Sequence, residues 1–258
     1  MRKIMTISPE ERKLDWRPNH DERSRDYSIR SLIGTSHFDL KRVEWQEGTI
    51  LDQGREGACV GFAWTGELLA EPYAPKEQPK AELGNALASS YYKRAQKLDQ
   101  WPGEEYEGTS VLAGAKVMKE EGFIESYRWC FGAEDVRDAL ISTGPVVIGV
   151  PWKSGMYSTG NGGLVKVTGS NVGGHALVLT GYDPFMTING RKYEVFRWRN
   201  SWGKDYGVDG SGFIKYNDLE KLLKKSGEAC VPIGRKEPVL DTAWNNFQHL
   251  FVNRIFDR

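Results

Sequence analysis

Three cysteines in 258 residues, Cys59, Cys130 and Cys230, are too few for a disulfide framework, and all are read as thiols. No run of about 18 apolar residues is present to span a bilayer. No apolar segment of about 7–15 residues follows Met1-Arg2-Lys3 as a secretory leader would require. With so little cysteine, the expected setting is a reducing cytoplasm. Blocks of like charge are also missing, and 35 basic residues balance 35 acidic ones, so neither nucleic acid nor a membrane is expected as a partner. Walker, dinucleotide-binding and zinc spacings do not occur. His20, His37 and His249 stand far apart, and no metal or cofactor is expected.

What the chain does have is aromatic and apolar mass. It is 39% hydrophobic with nine Trp, enough for one large domain or two lobes sharing a cleft. Residues 1–47 are polar and proline-marked, and predict an extended arm held to a body by Trp16, Tyr27 and Ile29. Helical spacing begins at about Cys59 and ends before Pro72. Residues 86–98 predict a second helix. Gly108-Thr109-Ser110 predicts a cap for a third, Val111 to Glu121, closed by Gly122, and Asp135 to Ser142 predicts a fourth.

From Pro145 the pattern turns to short β-rich runs at 145–150, 175–182, 193–199 and 212–216. Among the turns between them, Asn189-Gly190 is a hairpin signal. Helices followed by strands predict an α+β protein of two lobes. The expected division is an arm at 1–47, a domain at 48–235 and a tail at 236–258. Within the domain the helical lobe covers about 48–143 and the β-rich lobe about 144–235. Trp244, Phe247, Phe251 and Ile255 share one helical face of the tail, which would pack on the body or dock a partner.

Three segments carry chemistry. They are Gln53-Gly54-Arg55-Glu56-Gly57-Ala58-Cys59, Gly173-Gly174-His175-Ala176 and Arg199-Asn200-Ser201-Trp202-Gly203. A thiol needs a base to become a nucleophile, the base needs a group to hold its ring, and the oxyanion that forms needs donors. Cysteine at a helix N-terminus also lies at the positive end of the helix dipole, which favours thiolate.

This combination resembles the papain family of cysteine peptidases (peptidase C1 type) from about Asp52 to Val231. The match to that family's C-G-[SA]-C-[WY] pattern is partial: Glu56 replaces the first cysteine and Val60 replaces the aromatic residue. The resemblance implies a two-lobed fold with the site in the cleft. It implies that Cys59 attacks a carbonyl to form a thioester acyl-enzyme, with His175 as base and then acid, the two titrating as an ion-pair dyad. Asn200 would orient His175, Trp202 would shield their hydrogen bond, and Gln53 would donate to the oxyanion.

For substrate binding the resemblance points to Gly108 and Thr109 along the peptide backbone. It places Val111, Leu112, Gly149, Gly173 and Ala176 around an uncharged pocket for bulky apolar side chains. The expected partner is a peptide or protein substrate. The arm is too short for the family's large inhibitory pro-domain, so control would come from compartment, a partner, or the arm itself near the cleft. The alternatives are an acyl transferase or cell-wall peptide hydrolase using the same site, and an inactive peptidase-fold binding protein.

Overall fold

Helix-forming sequence crowds the first half of the chain and β-branched sequence the second, and the architecture follows this split with instructive exceptions. The computed structural model describes residues 12–35, 38–102 and 106–235. The tail at 236–258, with its expected docking or packing role, lies outside the described residues, as do His37 and His249. In chain order the elements are α1 (Arg30–Ile33), β1 (Val43–Glu44), α2 (Cys59–Leu68), α3 (Ala81–Leu98), α4 (Val111–Glu120), β2 (Ser126–Trp129) and α5 (Ala133–Ser142). There follow β3 (Val146–Lys153), β4 (Asn171–Ile188), β5 (Arg191–Arg199), β6 (Ser211–Lys215), α6 (Tyr216–Ser226) and β7 (Glu228–Ile233).

Nearly every residue of α2 is buried, as befits a central helix, and its one charged side chain, Glu67, is ion-paired with Arg235. α3 crosses it closely at Gly61, where a methyl group would run into the backbone of Ala88 and Tyr92. α4 starts where expected: the Ser110 hydroxyl accepts from the N–H of Ala113 at 3.1 Å, and Gly122 follows its end with positive φ. α3 begins at Ala81, five residues before the predicted 86. Gly84 weakens the helical signal there, yet Leu51 packs where its side chain would be.

The strands form one antiparallel sheet in the order β2-β7-β3-β4-β5-β6, with β1 added on β4. Asn189 and Gly190, both at positive φ, turn β4 into β5 as their sequence predicts. Alternation along β3 separates two cores. Val146, Ile148, Val150 and Trp152 face a core shared with α5 and α6, while Val147 faces the core of α2, α3 and α4.

Several features depart from the reading of the sequence. α5 packs in the sheet core, so the helical lobe gives way near Trp129 and not at 143. β2, β7 and α6 were not anticipated. β7 contains Pro232, and α6 follows β6 without a turn signal. Trp16 and Ile29 are buried as expected, but Tyr27 is 52% exposed, with Arg128 over its ring. Cys130 and Cys230 are buried free thiols in different cores.

Candidate active site

Cys59 is the first residue of α2, so its thiol meets the positive end of a buried helix. His175 lies on β4 opposite Val150 of β3, and Asn200 directly follows β5. The ring Nε2 of His175 and Oδ1 of Asn200 are 2.7 Å apart, and the N–H of Ser201 donates to the same oxygen at 2.8 Å. The Ser201 bond fixes which end of the amide faces the ring. Nε2 must therefore carry the proton, and in the neutral ring the lone pair sits on Nδ1. Nδ1 is buried and has no hydrogen-bond partner among the described residues, so its lone pair faces no donor there.

Ser201 has a second task. Its hydroxyl donates to Oε1 of Gln53 at 2.7 Å, which turns the Gln53 amide nitrogen outward. That nitrogen donates to the carbonyls of Glu56 at 2.8 Å and Lys13 at 3.3 Å. One serine thus sets both the amide that holds the histidine and the amide expected to hold an oxyanion. The sequence reading passed over it, although it stands between Asn200 and Trp202.

Two indoles enclose the imidazole. Trp202 lies tilted against His175 with ring centres 4.8 Å apart, and Trp152 meets its edge at the same distance. Trp198 stacks on Trp152, and Tyr157 stacks on Trp202. The resemblance placed Trp202 over the His175–Asn200 bond. Trp152 was missed, and its position in β3, two residues beyond the one facing His175, was the available signal.

The cleft is filled by the chain itself. Asp15 bridges to Gly174 and Trp16 to Thr109, both in parallel sense. The N–H of Trp16 donates to Gly174 O at 2.9 Å and that of Arg17 to Thr109 O at 3.0 Å. Arg12 is ion-paired with Asp52 and also donates to the carbonyls of Gly54 and Trp202. Lys13 pairs with Glu107, and Arg17 lies over the rings of Trp101 and Tyr106.

Leu14 presses on Gly173, Asp15 on Gly57 and Gly108, and Trp16 on Gly149 and Gly174. The predicted Gly108, Thr109, Gly149 and Gly173 thus all border the arm. Val111 touches the pocket through its backbone. Leu112 and Ala176 share the apolar cluster of Trp16, and Leu112 also borders a separate surface cavity of about 410 Å³ beside Tyr27 and Arg128. The pocket is not uncharged as expected: Glu228, from the unanticipated β7, lies at its floor.

Burial under the arm decides the protonation states. Cys59 is fully buried, which pushes its thiol up to about 11 despite hydrogen bonds to the sulfur from the backbone of Ala176, Asp15 and Val60. Burial pushes His175 down to about 4, opposed by its bond to Asn200 and assisted by the nearby charge of Arg12. Burial thus favours the neutral form of both groups and opposes the ion pair that the resemblance implies. Glu56, where the family pattern has cysteine, accepts from Ser89 at 2.6 Å.

The profile of the papain family cysteine proteases matches residues 85–230, which include His175 and Asn200 but not Gln53 or Cys59. The viral cathepsin of Spodoptera exigua nuclear polyhedrosis virus (strain US) is 27% identical over 184 residues, 63% of this chain and 52% of that protein. The chain thus spans about half the length of the curated relative it matches. Among solved structures, xylellain, a cysteine protease from Xylella fastidiosa, aligns over 89% of this chain and 100% of its own, with TM-score 0.60 and 19% identity. Digestive procathepsin L 3 of Tenebrio molitor larval midgut aligns over 86% and 84%, with TM-score 0.57 and 13% identity. These likenesses support the two-lobed fold, and the profile match, over more than half of the chain, places this protein in the papain family of cysteine proteases.

Proposed function

We propose that this protein hydrolyses peptide bonds through a thioester on Cys59. The observation that carries the reading is the chain of bonds from Asn200 to His175. It leaves Nδ1 buried and unpartnered among the described residues, one residue before Ala176, whose backbone hydrogen-bonds the Cys59 sulfur. With the arm displaced, His175 takes the thiol proton and Cys59 attacks the substrate carbonyl. Gln53, already donating to a carbonyl in the closed form, donates to the oxyanion. His175 then protonates the leaving amine, and water releases the acyl group. Asn200 holds the ring without adding a negative charge, while Trp202 and Trp152 keep water from the His175–Asn200 bond.

The test is to incubate the full chain with a diverse peptide mixture and map cut sites by mass spectrometry. Cys59→Ala is expected to abolish every cut; cuts that persist in it would sink the mechanism. Gln53→Ala is expected to slow turnover by about a hundredfold to a thousandfold while leaving KM within a few-fold. Unchanged kcat would remove Gln53 from the oxyanion role.

A further inference from the structure

The guanidinium of Arg12 sits in a seat that is built without it. Nη1 donates to Oδ1 of Asp52 at 2.5 Å and to the carbonyl of Gly54 at 3.3 Å, and Nη2 donates to the carbonyl of Trp202 at 3.1 Å. The arm supplies none of these acceptors, nor the bonds that place them. The N–H of Gly54 donates to Oδ1 of Asp52 at 2.9 Å, and Oδ1 of Asn85 accepts the N–H of Asp52 at 3.0 Å. The N–H of Gln53 donates to Ser201 O at 2.9 Å and that of Gly203 to Leu51 O at 3.0 Å, which laces the segment before α2 to the one after β5. Gly203, at positive φ, leaves room for the Asp52 carboxylate, which a methyl group there would strike.

When the arm leaves, the seat therefore keeps its shape: two carbonyls and a carboxylate turned toward one place. An aliphatic side chain entering it satisfies none of them. An ammonium presents all its donors from a single nitrogen, whereas the seat engages two nitrogens held apart in one plane. That spacing is a property of guanidinium.

The seat adjoins the chemistry. Gln53 stands between Asp52 and Gly54, and Trp202 lies against the His175 ring. Arg12 precedes by three residues Asp15, whose backbone hydrogen-bonds the Cys59 sulfur, and Trp16 then enters the pocket of Gly149 and Gly174. A chain laid across the nucleophile thus reaches the seat on one side and the Trp16 pocket on the other.

We infer that Asp52 and the carbonyls of Gly54 and Trp202 form a subsite for an arginine side chain of the substrate, across the cut bond from the residue that takes the Trp16 pocket. Arg12 is its built-in occupant. That a peptide brings the arginine rests on the peptidase reading above. The preference for a guanidinium does not, because the arm is a tethered ligand that presents one.

The experiment measures the rate of iodoacetamide labelling of Cys59 in the full chain, resolved by peptide mapping, with residue 12 as Arg, Lys or Ala. Arg12→Lys is expected to label within about threefold of Arg12→Ala, and both about tenfold faster than the parent. Arg12→Lys at the parent rate would show that any cation fills the seat, and would overturn the inference.

Cut-site mapping adds a second readout, with Arg12→Ala clearing the seat for substrate. One position within about three residues of the cut bond, on one side only, should be enriched about tenfold in Arg over Lys and Leu. Adding Asp52→Ala is expected to bring that enrichment to about threefold or less. Asp52→Asn, which keeps an acceptor for the Gly54 N–H and removes the charge, carries the test if Asp52→Ala does not fold. A profile without Arg enrichment, or one that Asp52 substitution leaves unshifted, counts against the inference. If neither the parent nor Arg12→Ala cuts any peptide, the peptidase reading fails, while the labelling order still decides the seat.

Discussion

His175 and Glu228 are both buried titrating groups, and they pull on stability in opposite directions. His175 is held down to about 4, so between there and its ordinary 6.5 the unfolded chain binds more protons and stability rises with pH. Glu228 is raised by burial from 4.5 to about 7, so across that window the native state binds more protons and stability falls with pH. Each shift corresponds to about 3 kcal/mol at full expression, and the two offset each other over the shared range. Glu228→Gln removes one arm of this balance. The melting temperature of the variant minus that of the parent is expected to climb steadily from pH 4.5 to pH 7, by several degrees in total. A difference that stays flat across the window would show that Glu228 ionises as freely in the folded protein as in the unfolded chain.

Among the elements, α2 carries the nucleophile, and its position depends on how closely α3 approaches it. Gly61 is the point of contact, and the atoms a methyl group would meet are backbone atoms of α3, which have little room to yield. Gly61→Ala is expected to destabilise the protein by about 1–3 kcal/mol, measured as a lower denaturation midpoint. No loss of stability would mean that the two helices can part without cost.

The same scale explains what the sequence could disclose. Cys59, His175, Asn200 and Gln53 stand out in the sequence because each sits in a short motif whose residue types suit one chemistry. α4 was legible because Ser110 and Gly122 punctuate it. Glu228 was not: it lies in a strand interrupted by Pro232 and enters the pocket only through the register that pairs it with Gly149. α6 left a signal in Leu219, Leu222 and Leu223, buried on one face, but no cap announces its start. Trp16 was read correctly as an anchor for the arm. Where it anchors follows from the cleft between two lobes, which no local pattern encodes.

At the scale of the molecule, the arm is fastened across both lobes. Arg12 joins Asp52 and Gly54, before α2, to the carbonyl of Trp202, after β5; its side chain is 8% exposed and that of Asp52 is 42% exposed, so the fastening rests on three hydrogen bonds from one guanidinium more than on the ion pair. Lys13 and Glu107 are far more exposed and contribute little. Arg12→Ala is expected to speed alkylation of Cys59 by about tenfold, with Cys130 and Cys230 as slow internal references. A Lys13→Ala variant should stay near the parent rate. Equal acceleration by both would mean that the arm is held by net charge and not by the fastening at Arg12.

The order of these parts along the chain has a kinetic consequence. The pocket draws its walls from residues near 149 and 174 and its floor from residue 228, whereas its occupant is residue 16. Contacts between residues so far apart in sequence form late in folding, after the local helices and hairpins. During synthesis the indole has left the ribosome long before β7 exists to complete the cavity. The occupant is thus at hand before there is anything to occupy, whereas an inhibitor supplied by another molecule would have to find a cleft already formed.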